Sequence, residues 1–288
     1  MSKIWLITGS SRGLGRALAE AVLADGNRLV ATARKPAELA DLAERYGDRV
    51  RTVALDVTDA NAAKHAIAAA VEAFGRLDVL VNNAGYADVG SIEDTDDAVF
   101  RAQIETNLFG VIHVTKAAIP LMREQGAGHI IQISSIGGRT NAPGIAPYQT
   151  AKWAVEGFSG VLAKEVGPLG INVTIVEPGG FRTDWAGSSM TIRESRPEYD
   201  STIGAMIRYR ANMTGQATGD PAKAATAILH IANVDEPPLR LLLGSDAVHL
   251  ADLDNQARIE TDRKWRDLSL STDFDAAGGR VELPWEKD

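Results

Sequence analysis

The sequence contains no cysteine, and this absence restricts the chemistry that the chain can perform. Without thiols the protein cannot build a disulfide framework, hold a metal through thiolates or use a cysteine nucleophile. The absence is typical of a reducing compartment, so we expect a cytoplasmic protein. Any redox reaction must then depend on a bound cofactor.

Long apolar runs are also absent. No stretch approaches the ~20 apolar residues of a membrane helix, and the run at 4–7 is too short for the apolar core of a signal peptide. We therefore expect no membrane partner. A formal net charge of −8 argues against nucleic acid as a partner, because binding phosphates needs a clustered Lys and Arg surface.

Two catalytic signatures are missing as well. The five histidines form no cluster with carboxylates at metal-ligand spacing, so we expect no metal. The chain also lacks the G-x-S-x-G motif of a serine nucleophile, which disfavours a serine hydrolase.

What the sequence does contain is the composition of a globular protein. Its 288 residues are 45% hydrophobic and 24% charged, and we predict a single domain over 1–288. Short runs rich in Val, Ile and Leu alternate with Ala-rich segments of helical spacing, which is typical of βαβ units. The runs lie at 4–7, 28–31, 50–54, 79–81, 129–133, 172–176 and 239–243.

These runs predict an α/β fold with a doubly wound, Rossmann-type sheet of seven parallel strands flanked by helices on both faces. Runs that are apolar at every position, such as 79–81, suit strands that are covered on both sides. Helices are predicted at about 13–25, 36–46, 59–74, 95–125, 147–167 and 221–233, with a kink at Pro120.

A segment at about 184–219 breaks this alternation, and we predict a substrate lid there without a strand. Its apolar side chains are typical of a pocket or of packing onto the body, while its arginines either attract an acidic substrate or are solvated. The apolar residues are Trp185, Met190, Met206, Tyr209 and Met213, and the arginines are Arg193, Arg196, Arg208 and Arg210. A helical extension and a polar tail are predicted at about 246–288.

The first predicted strand leads directly into a glycine-rich segment, TGSSRGLG at 8–15, which includes Ser11 and Leu14. Gly9, Gly13 and Gly15 permit a tight turn and a close approach to a pyrophosphate, and the helix that follows offers free N–H groups to the anion. The spacing differs from G-x-G-x-x-G, so an ordinary glycine-rich turn remains the alternative.

The end of the second predicted strand, ATARK at 31–35, bears on the choice of cofactor. An NAD-binding protein places an acidic residue here against the ribose 2′-hydroxyl, and this chain has none. Arg34 can instead bind a 2′-phosphate bidentately, with Arg12 closing on the same group. We therefore predict NADP(H) in preference to NAD(H), unless Arg34 and Lys35 are only solvated charges.

Tyr148 and Lys152 are the candidates for proton chemistry. They lie four residues apart at the start of a predicted helix, and therefore on one face of it. A phenol has a pKa of about 10, and a neighbouring cation stabilises its phenolate, so Lys152 is predicted to lower the pKa of Tyr148. The pair also follows a parallel strand whose end faces the predicted cofactor crevice.

In combination, these motifs resemble the short-chain dehydrogenase/reductase family over about residues 3–245. The resemblance implies a homodimer or homotetramer, hydride transfer at C4 of the nicotinamide, and a small-molecule carbonyl or alcohol substrate. The matching segments are TGSSRGLG at 8–15, Asp56-Val57, NNAG at 82–85, Asn107 within TNLFG, Ser135 before YQTAK, and PGGFRT at 178–183.

The resemblance also implies four catalytic roles. Tyr148 is the general acid in reduction and the base in oxidation, and Lys152 holds the nicotinamide ribose and lowers the Tyr148 pKa. Ser135 hydrogen-bonds the carbonyl oxygen. Ser134 is the alternative, because only one of the two adjacent serines faces Tyr148. Asn107 fixes a water that relays protons to Lys152, or else is a satisfied buried amide.

Further cofactor contacts follow from the resemblance in the same way. Asp56 accepts a hydrogen bond from the adenine amino group, and Val57 donates its backbone N–H. The contacts to the adenosine ribose, the pyrophosphate and the carboxamide are assigned to Asn83, Ala84, Gly85, Pro178, Gly179, Phe181 and Thr183.

Two other functions remain open on the sequence. One is a nucleotide-binding regulatory protein without turnover, and the other is an epimerase or dehydratase that uses the same Tyr–Lys pair. A sensor has no need of an acid/base group, which favours an enzyme. The substrate stays open among steroids, acyl thioesters, sugars and aryl ketones.

Overall fold

The computed structural model describes residues 2–183, 190–213 and 216–274. Seven of its strands form one parallel sheet, which confirms the predicted fold class. In chain order the strands are β1 (Ile4–Ile7), β2 (Arg28–Ala33), β3 (Val50–Ala54), β4 (Val79–Asn82), β5 (Ala87–Val89), β6 (Gly128–Ile133), β7 (Ile171–Pro178), β8 (Met190–Ile192) and β9 (Arg240–Leu243).

The helices lie close to their predicted positions. They are α1 (Gly13–Ala24), α2 (Ala40–Tyr46), α3 (Ala60–Phe74), α4 (Asp97–Ile104), α5 (Gly110–Gln125), α6 (Ala146–Val166), α7 (Ala205–Met213), α8 (Pro221–Ile231) and α9 (Ser245–Leu270). Within the described residues, no helix is both long and apolar enough to span a membrane.

Alternate side chains of β1 enter two separate cores. Trp5 and Ile7 pack with residues of α1 and α8, whereas Leu6 packs with residues of α3 and α5. All three side chains are fully buried. The uninterrupted apolar run at 4–7 thus marks a strand that is covered on both faces.

The strand order of the large sheet, β3-β2-β1-β4-β6-β7-β9, determines where a ligand can bind. The chain moves outward in one direction from β1 to β3 and in the other direction from β4 to β9. In such sheets a crevice opens beyond the carboxyl ends of the two strands at the reversal point. Here those strands are β1 and β4, which lead into the glycine-rich segment and the NNAG segment.

The predicted absence of a strand in the lid is wrong. β8 pairs in parallel with β5, with Met190 opposite Ala87 and Ile192 opposite Val89. A three-residue strand carries too short a pattern to be recognised locally, and its partner lies about 100 residues earlier in the chain. Of the lid residues named from the sequence, Trp185 lies outside the described residues.

The predicted helix at 95–125 is interrupted. A π-helical turn at Glu105–Phe109 separates α4 from α5, and α5 continues on both sides of Pro120. Single π-helical turns within helices are frequent at functional sites. This one carries Asn107.

Candidate active site

The glycine-rich segment adopts backbone conformations that favour glycine. Gly9 and Gly13 have φ angles of 68° and 57°, in the left-handed region. At Gly15 the restriction is steric, because a Cβ atom would collide with the carbonyl oxygen of Gly9 and the side-chain amide of Asn83. The segment therefore brings the start of α1 against the ends of β1 and β4.

The N-terminus of α1 is open to an anion. Its N-cap residue, Arg12, makes no side-chain capping hydrogen bond, and no acidic residue stands in its first turn. By contrast, α3 is capped by the Asp59 carboxylate, which accepts from the Asn61 N–H at 2.7 Å. Uncapped N–H groups and the helix dipole favour binding of a phosphate.

Thr8 connects the two strand ends, a role that the sequence analysis missed. Its hydroxyl oxygen accepts hydrogen bonds from the backbone N–H groups of Asn83 (2.9 Å) and Ala84 (3.0 Å). The Asn83 side-chain amide in turn donates to the carbonyl oxygens of Thr8 (2.9 Å) and Gly9 (3.1 Å). The Asn83 side chain therefore supports the glycine-rich segment.

We expect a Thr8→Val variant to be less stable. Valine keeps the shape of the buried side chain but leaves two backbone donors without their acceptor, and each loss costs about 1–3 kcal/mol. The free energy of unfolding in urea should fall by about 2 kcal/mol or more. Thr8→Ser retains the hydroxyl and should lose less than half as much. Equal losses in the two variants would contradict this role of the hydroxyl.

A cleft of about 740 Å³ lies beside these strand ends. Most residues predicted to bind the cofactor line it, and so do several that the sequence analysis did not single out. The predicted ones are Gly9, Ser11, Arg12, Gly13, Leu14, Arg34, Asp56, Val57, Asn83, Ala84 and Gly85. The additional ones include Glu38, Thr58, Tyr86, Thr106 and Thr191. Thr191 belongs to β8, so the lid reaches the cleft.

The rim of the cleft carries charges of both signs. Arg34 and Lys35 are exposed at the end of β2 and carry positive charge. Glu38, which is negative, follows one turn later. Asp56 is also exposed, and its Oδ1 accepts from the Thr58 N–H (3.0 Å) and hydroxyl (2.7 Å). This local turn orients the Asp56 carboxylate.

The end of β7 leads to the glycine-rich segment, although Pro178, Gly179, Phe181 and Thr183 are not among the residues that line the cleft. The N–H of Gly179, which follows Pro178, donates to the Leu243 carbonyl (2.8 Å). Phe181 pairs with Gly219 in an isolated bridge. The Thr183 Cβ lies 3.6 Å from the position that a Cβ of Gly13 would occupy. Thr183 is therefore next to the glycine-rich segment.

Helix α6 brings Tyr148 and Lys152 together in the interior. Both side chains are buried, and the Lys152 Nζ lies 5.7 Å from the centre of the Tyr148 ring. The Lys152 ammonium donates to the carbonyl oxygen of Ile133 at the end of β6 (2.7 Å). Tyr148 packs against Ala87 and Val89, which directly follow the cleft residues Gly85 and Tyr86.

The pKa of Tyr148 is raised, contrary to the lowering predicted from the sequence. Burial raises it to about 12, while a hydrogen bond with Ser135 and the charge of Arg210 act in the opposite direction. Burial lowers the pKa of Lys152 to about 8, and the charge of Glu156 opposes this shift. Removal from water penalises the charged form of each group, and it is the largest effect on the pKa of both.

Of the two adjacent serines, Ser135 is the one that meets Tyr148. Ser135 is half-buried, and its side chain is hydrogen-bonded with Tyr148. The Ser135 hydroxyl oxygen also accepts a hydrogen bond from the Gly137 N–H at 3.0 Å. Ser134 is buried, and its hydroxyl lies beside Gly138 and Glu156. Alternation along the strand end explains why the two hydroxyls diverge.

Asn107 is a fully buried amide with two backbone partners. Its Nδ2 donates to the Tyr86 carbonyl (2.8 Å), and its Oδ1 accepts from the Tyr86 N–H (3.0 Å). The side chain thus holds the segment that follows β4.

The lid arginines differ in their surroundings. Arg196 pairs with Glu93 and Asp94, and Arg208 pairs with Asp200, at exposed positions. Arg210 is half-buried, and its Nη1 contacts the Met190 sulfur at 3.9 Å. Met190 and Ile207 pack against the cluster that contains Tyr148, whereas Tyr209 is 60% exposed. Of these arginines, the structure places Arg210 at the site.

Comparison with known proteins identifies relatives over nearly the whole chain. The family described as short chain dehydrogenase matches residues 3–193. "Oxidoreductase BOA17" of Botryotinia fuckeliana (strain B05.10) is 51% identical over 273 residues, which are 94% of this chain and 100% of that protein.

Solved structures are similar as well. A short-chain dehydrogenase from Streptomyces avermitilis has a TM-score of 0.88 and 40% identity, covering 94% of this chain and 98% of its own. An alcohol dehydrogenase from the archaeon Thermococcus sibiricus, complexed with 5-hydroxy-NADP, has a TM-score of 0.70 and 26% identity, covering 84% and 96%.

Proposed function

The chain belongs to the short-chain dehydrogenase/reductase family of oxidoreductases, and we propose that it transfers a hydride between NADP(H) and a small-molecule carbonyl or secondary alcohol. One observation carries the proposal. Tyr148 is hydrogen-bonded to Ser135 and has Lys152 one helical turn away, beside the end of the cleft. This is the arrangement that proton transfer to a carbonyl oxygen needs.

In carbonyl reduction, Tyr148 acts as the general acid. Its raised pKa, about 12, keeps the phenol protonated at neutral pH and ready to donate. Ser135 donates to the same carbonyl oxygen and stabilises its developing negative charge. Lys152 stabilises the tyrosinate that remains after proton transfer, and Asn107 holds the neighbouring backbone in place. These groups suit the reductase direction.

The cleft fits a dinucleotide. The uncapped start of α1 and the close approach at Gly13 and Gly15 suit a pyrophosphate, and Gly85 leaves no room for a Cβ beside Asn107. In this proposal Asp56 and Val57 contact the adenine, and Pro178, Gly179, Phe181 and Thr183 contact the nicotinamide end. When bound, the reduced nicotinamide supplies the hydride.

The proposed preference for NADP(H) rests on the cleft rim. Arg34 and Lys35 lie at the end of β2, and Arg12 lines the same cleft. The archaeal relative was solved with an NADP derivative. Glu38 stands one turn beyond Arg34 and also lines the cleft. Its negative charge would lie near the 2′-phosphate.

We also propose a homodimer or homotetramer in the cytoplasm. Apolar side chains remain on the outer surface near α5 and α6, including Phe109 (41% exposed) and Val161 (57% exposed). Exposed apolar area of this kind is typical of an interface between subunits. The long helix α9 follows the last strand and adds further exposed surface.

A panel of ketones and aldehydes, assayed with NADPH and with NADH, tests the proposed function. We expect loss of NADPH absorbance at 340 nm together with an equal amount of alcohol product. Binding of NADPH without turnover of any compound would favour a regulatory protein. Conversion without net consumption of NADPH would favour an epimerase or dehydratase.

A further inference from the structure

A second buried charge stands one helical turn beyond Lys152. Glu156 lies on the same face of α6, because residues four apart in a helix are neighbours. Its residue is only 7% exposed, although it bears a carboxylate. The Glu156 Oε2 accepts from the Arg240 Nε of β9 at 3.1 Å. An acid in this position calls for a physical explanation, since an ionised group is costly to bury.

Glu156 belongs to a cluster of charged groups from several elements. Glu177 of β7 is fully buried and pairs with Arg139, whose Nε lies 2.9 Å and 2.8 Å from its two carboxylate oxygens. The Arg240 Nε is 3.7 Å from Glu177, so it lies between both carboxylates. From α9, Arg258 donates to the Arg139 carbonyl at 3.0 Å.

Glu177 and Glu156 pair with different arginines. Burial raises the pKa of Glu177 to about 7, the hydrogen bond with Arg139 opposes this shift, and the negative charge of Glu156 adds to it. Arg240 is also closer to Glu156 than to Glu177. Glu156 therefore has Arg240 as its ion-pair partner, whereas Glu177 is paired chiefly with Arg139.

Lys152 is a buried group of positive charge. Its ammonium is buried, and its described hydrogen bond goes to a neutral carbonyl, that of Ile133. Glu156 is the negative group that supports the charge of Lys152.

We propose that Glu156 is a positioning residue that keeps the buried Lys152 in its cationic form at neutral pH. Arg240 holds the Glu156 carboxylate in place, and Gly138 leaves room for it beside Ser134. This deepens the proposed function and rests on it, since a neutral lysine could not stabilise the Tyr148 phenolate.

The sign of the pH effect follows from the charge of Lys152. The cation is present below its pKa, which burial lowers to about 8, and is lost as the pH rises through that value. Removing the negative charge of Glu156 lowers this pKa further. We expect the loss of carbonyl reduction at alkaline pH to begin about one pH unit lower in Glu156→Gln, the scale of a nearby opposite charge.

The test uses the full chain and two measurements. Lysines carrying a ¹³C label at Cε are titrated by NMR, with the Lys152 signal assigned by its disappearance in Lys152→Met. In parallel, kcat for reduction with NADPH is measured against pH. Glu156→Gln retains an acceptor for Arg240, and Glu165→Gln, an exposed glutamate of the same helix, is the matched control.

We expect the Lys152 pKa to fall by about one unit in Glu156→Gln and to stay within about 0.2 units in Glu165→Gln. Glu177→Gln removes a carboxylate whose charge is balanced by Arg139, and it should shift the Lys152 pKa by less than half as much. Should Glu156→Gln fail to fold, Glu156→Asp withdraws the charge by one methylene and should give a smaller fall. An unchanged Lys152 pKa in the folded variant, or an equal fall in Glu177→Gln, would overturn the proposal.

The NMR titration needs no turnover. If the wild-type protein reduces none of the carbonyl compounds, the proposed function fails, while the titration still decides whether Glu156 supports the charge of Lys152.

Discussion

A Tyr148→Phe variant is expected to reduce carbonyl compounds at least about a hundredfold more slowly than the wild type, the scale of general acid catalysis. Phenylalanine preserves the packing of the ring against Val89 and Ile145 but removes the proton donor. The cleft residues that would hold the cofactor are untouched, so the Kd for NADPH should change little. Steady-state kcat and NADPH fluorescence titrations measure the two quantities separately.

The matched control is Tyr209→Phe. Tyr209 is on the lid one residue before Arg210, and it is 60% exposed. Its hydroxyl has no part in the proposed proton transfer, so kcat should stay within about twofold. Wild-type turnover in Tyr148→Phe would refute Tyr148 as the acid. A large loss in both variants would point to damage of the lid region instead.

An Arg34→Ala variant is expected to have a KM for NADPH about ten- to a hundredfold higher than that of the wild type. A bidentate, charged hydrogen bond contributes about 1.5–3 kcal/mol, and 1.4 kcal/mol corresponds to a factor of ten. NADH has no 2′-phosphate, so its KM should change by less than about twofold. The ratio of kcat/KM for the two cofactors is the measurement.

Arg45→Ala provides the control for the change in net charge. Arg45 is an exposed arginine of α2, and it does not line the cleft. We expect its cofactor ratio to match the wild type. If Arg34→Ala raised the KM for NADPH and for NADH equally, Arg34 would be contributing to the shape of the cleft. The proposed preference for NADP(H) would then lose its main support.

Much of the fold was predictable because its signals are local. Runs that are apolar at every position, such as Val79–Val81, indicate strands covered on both faces, and all seven predicted strands of the large sheet are present. Glycines at 9, 13 and 15 indicate a tight strand-to-helix turn, and their φ angles or contacts require glycine. Such features depend on neighbours within a few residues.

The pairing of Tyr148 with Lys152 was equally accessible, since helical spacing alone puts them on one face. The local pattern did not decide between Ser134 and Ser135, and the prediction of Ser135 rested on the resemblance to the family. Successive side chains along a strand point to opposite faces, so the two hydroxyls must diverge. The packing of α6 against the end of β6 decides which of them meets Tyr148. A partner supplied by another element leaves no trace in the local pattern.

The sequence by itself therefore determined the sheet, the glycine-rich turn and the Tyr–Lys pair, because each depends on periodicity or on backbone conformation. Only the tertiary structure decided the pairing of β5 with β8, the bonding of Asn107 to Tyr86, and the meeting of Glu156 with Glu177. It also reversed the expected direction of the Tyr148 pKa. Burial and the proximity of charges arise from segments far apart in the chain, and they exist only once those segments pack together.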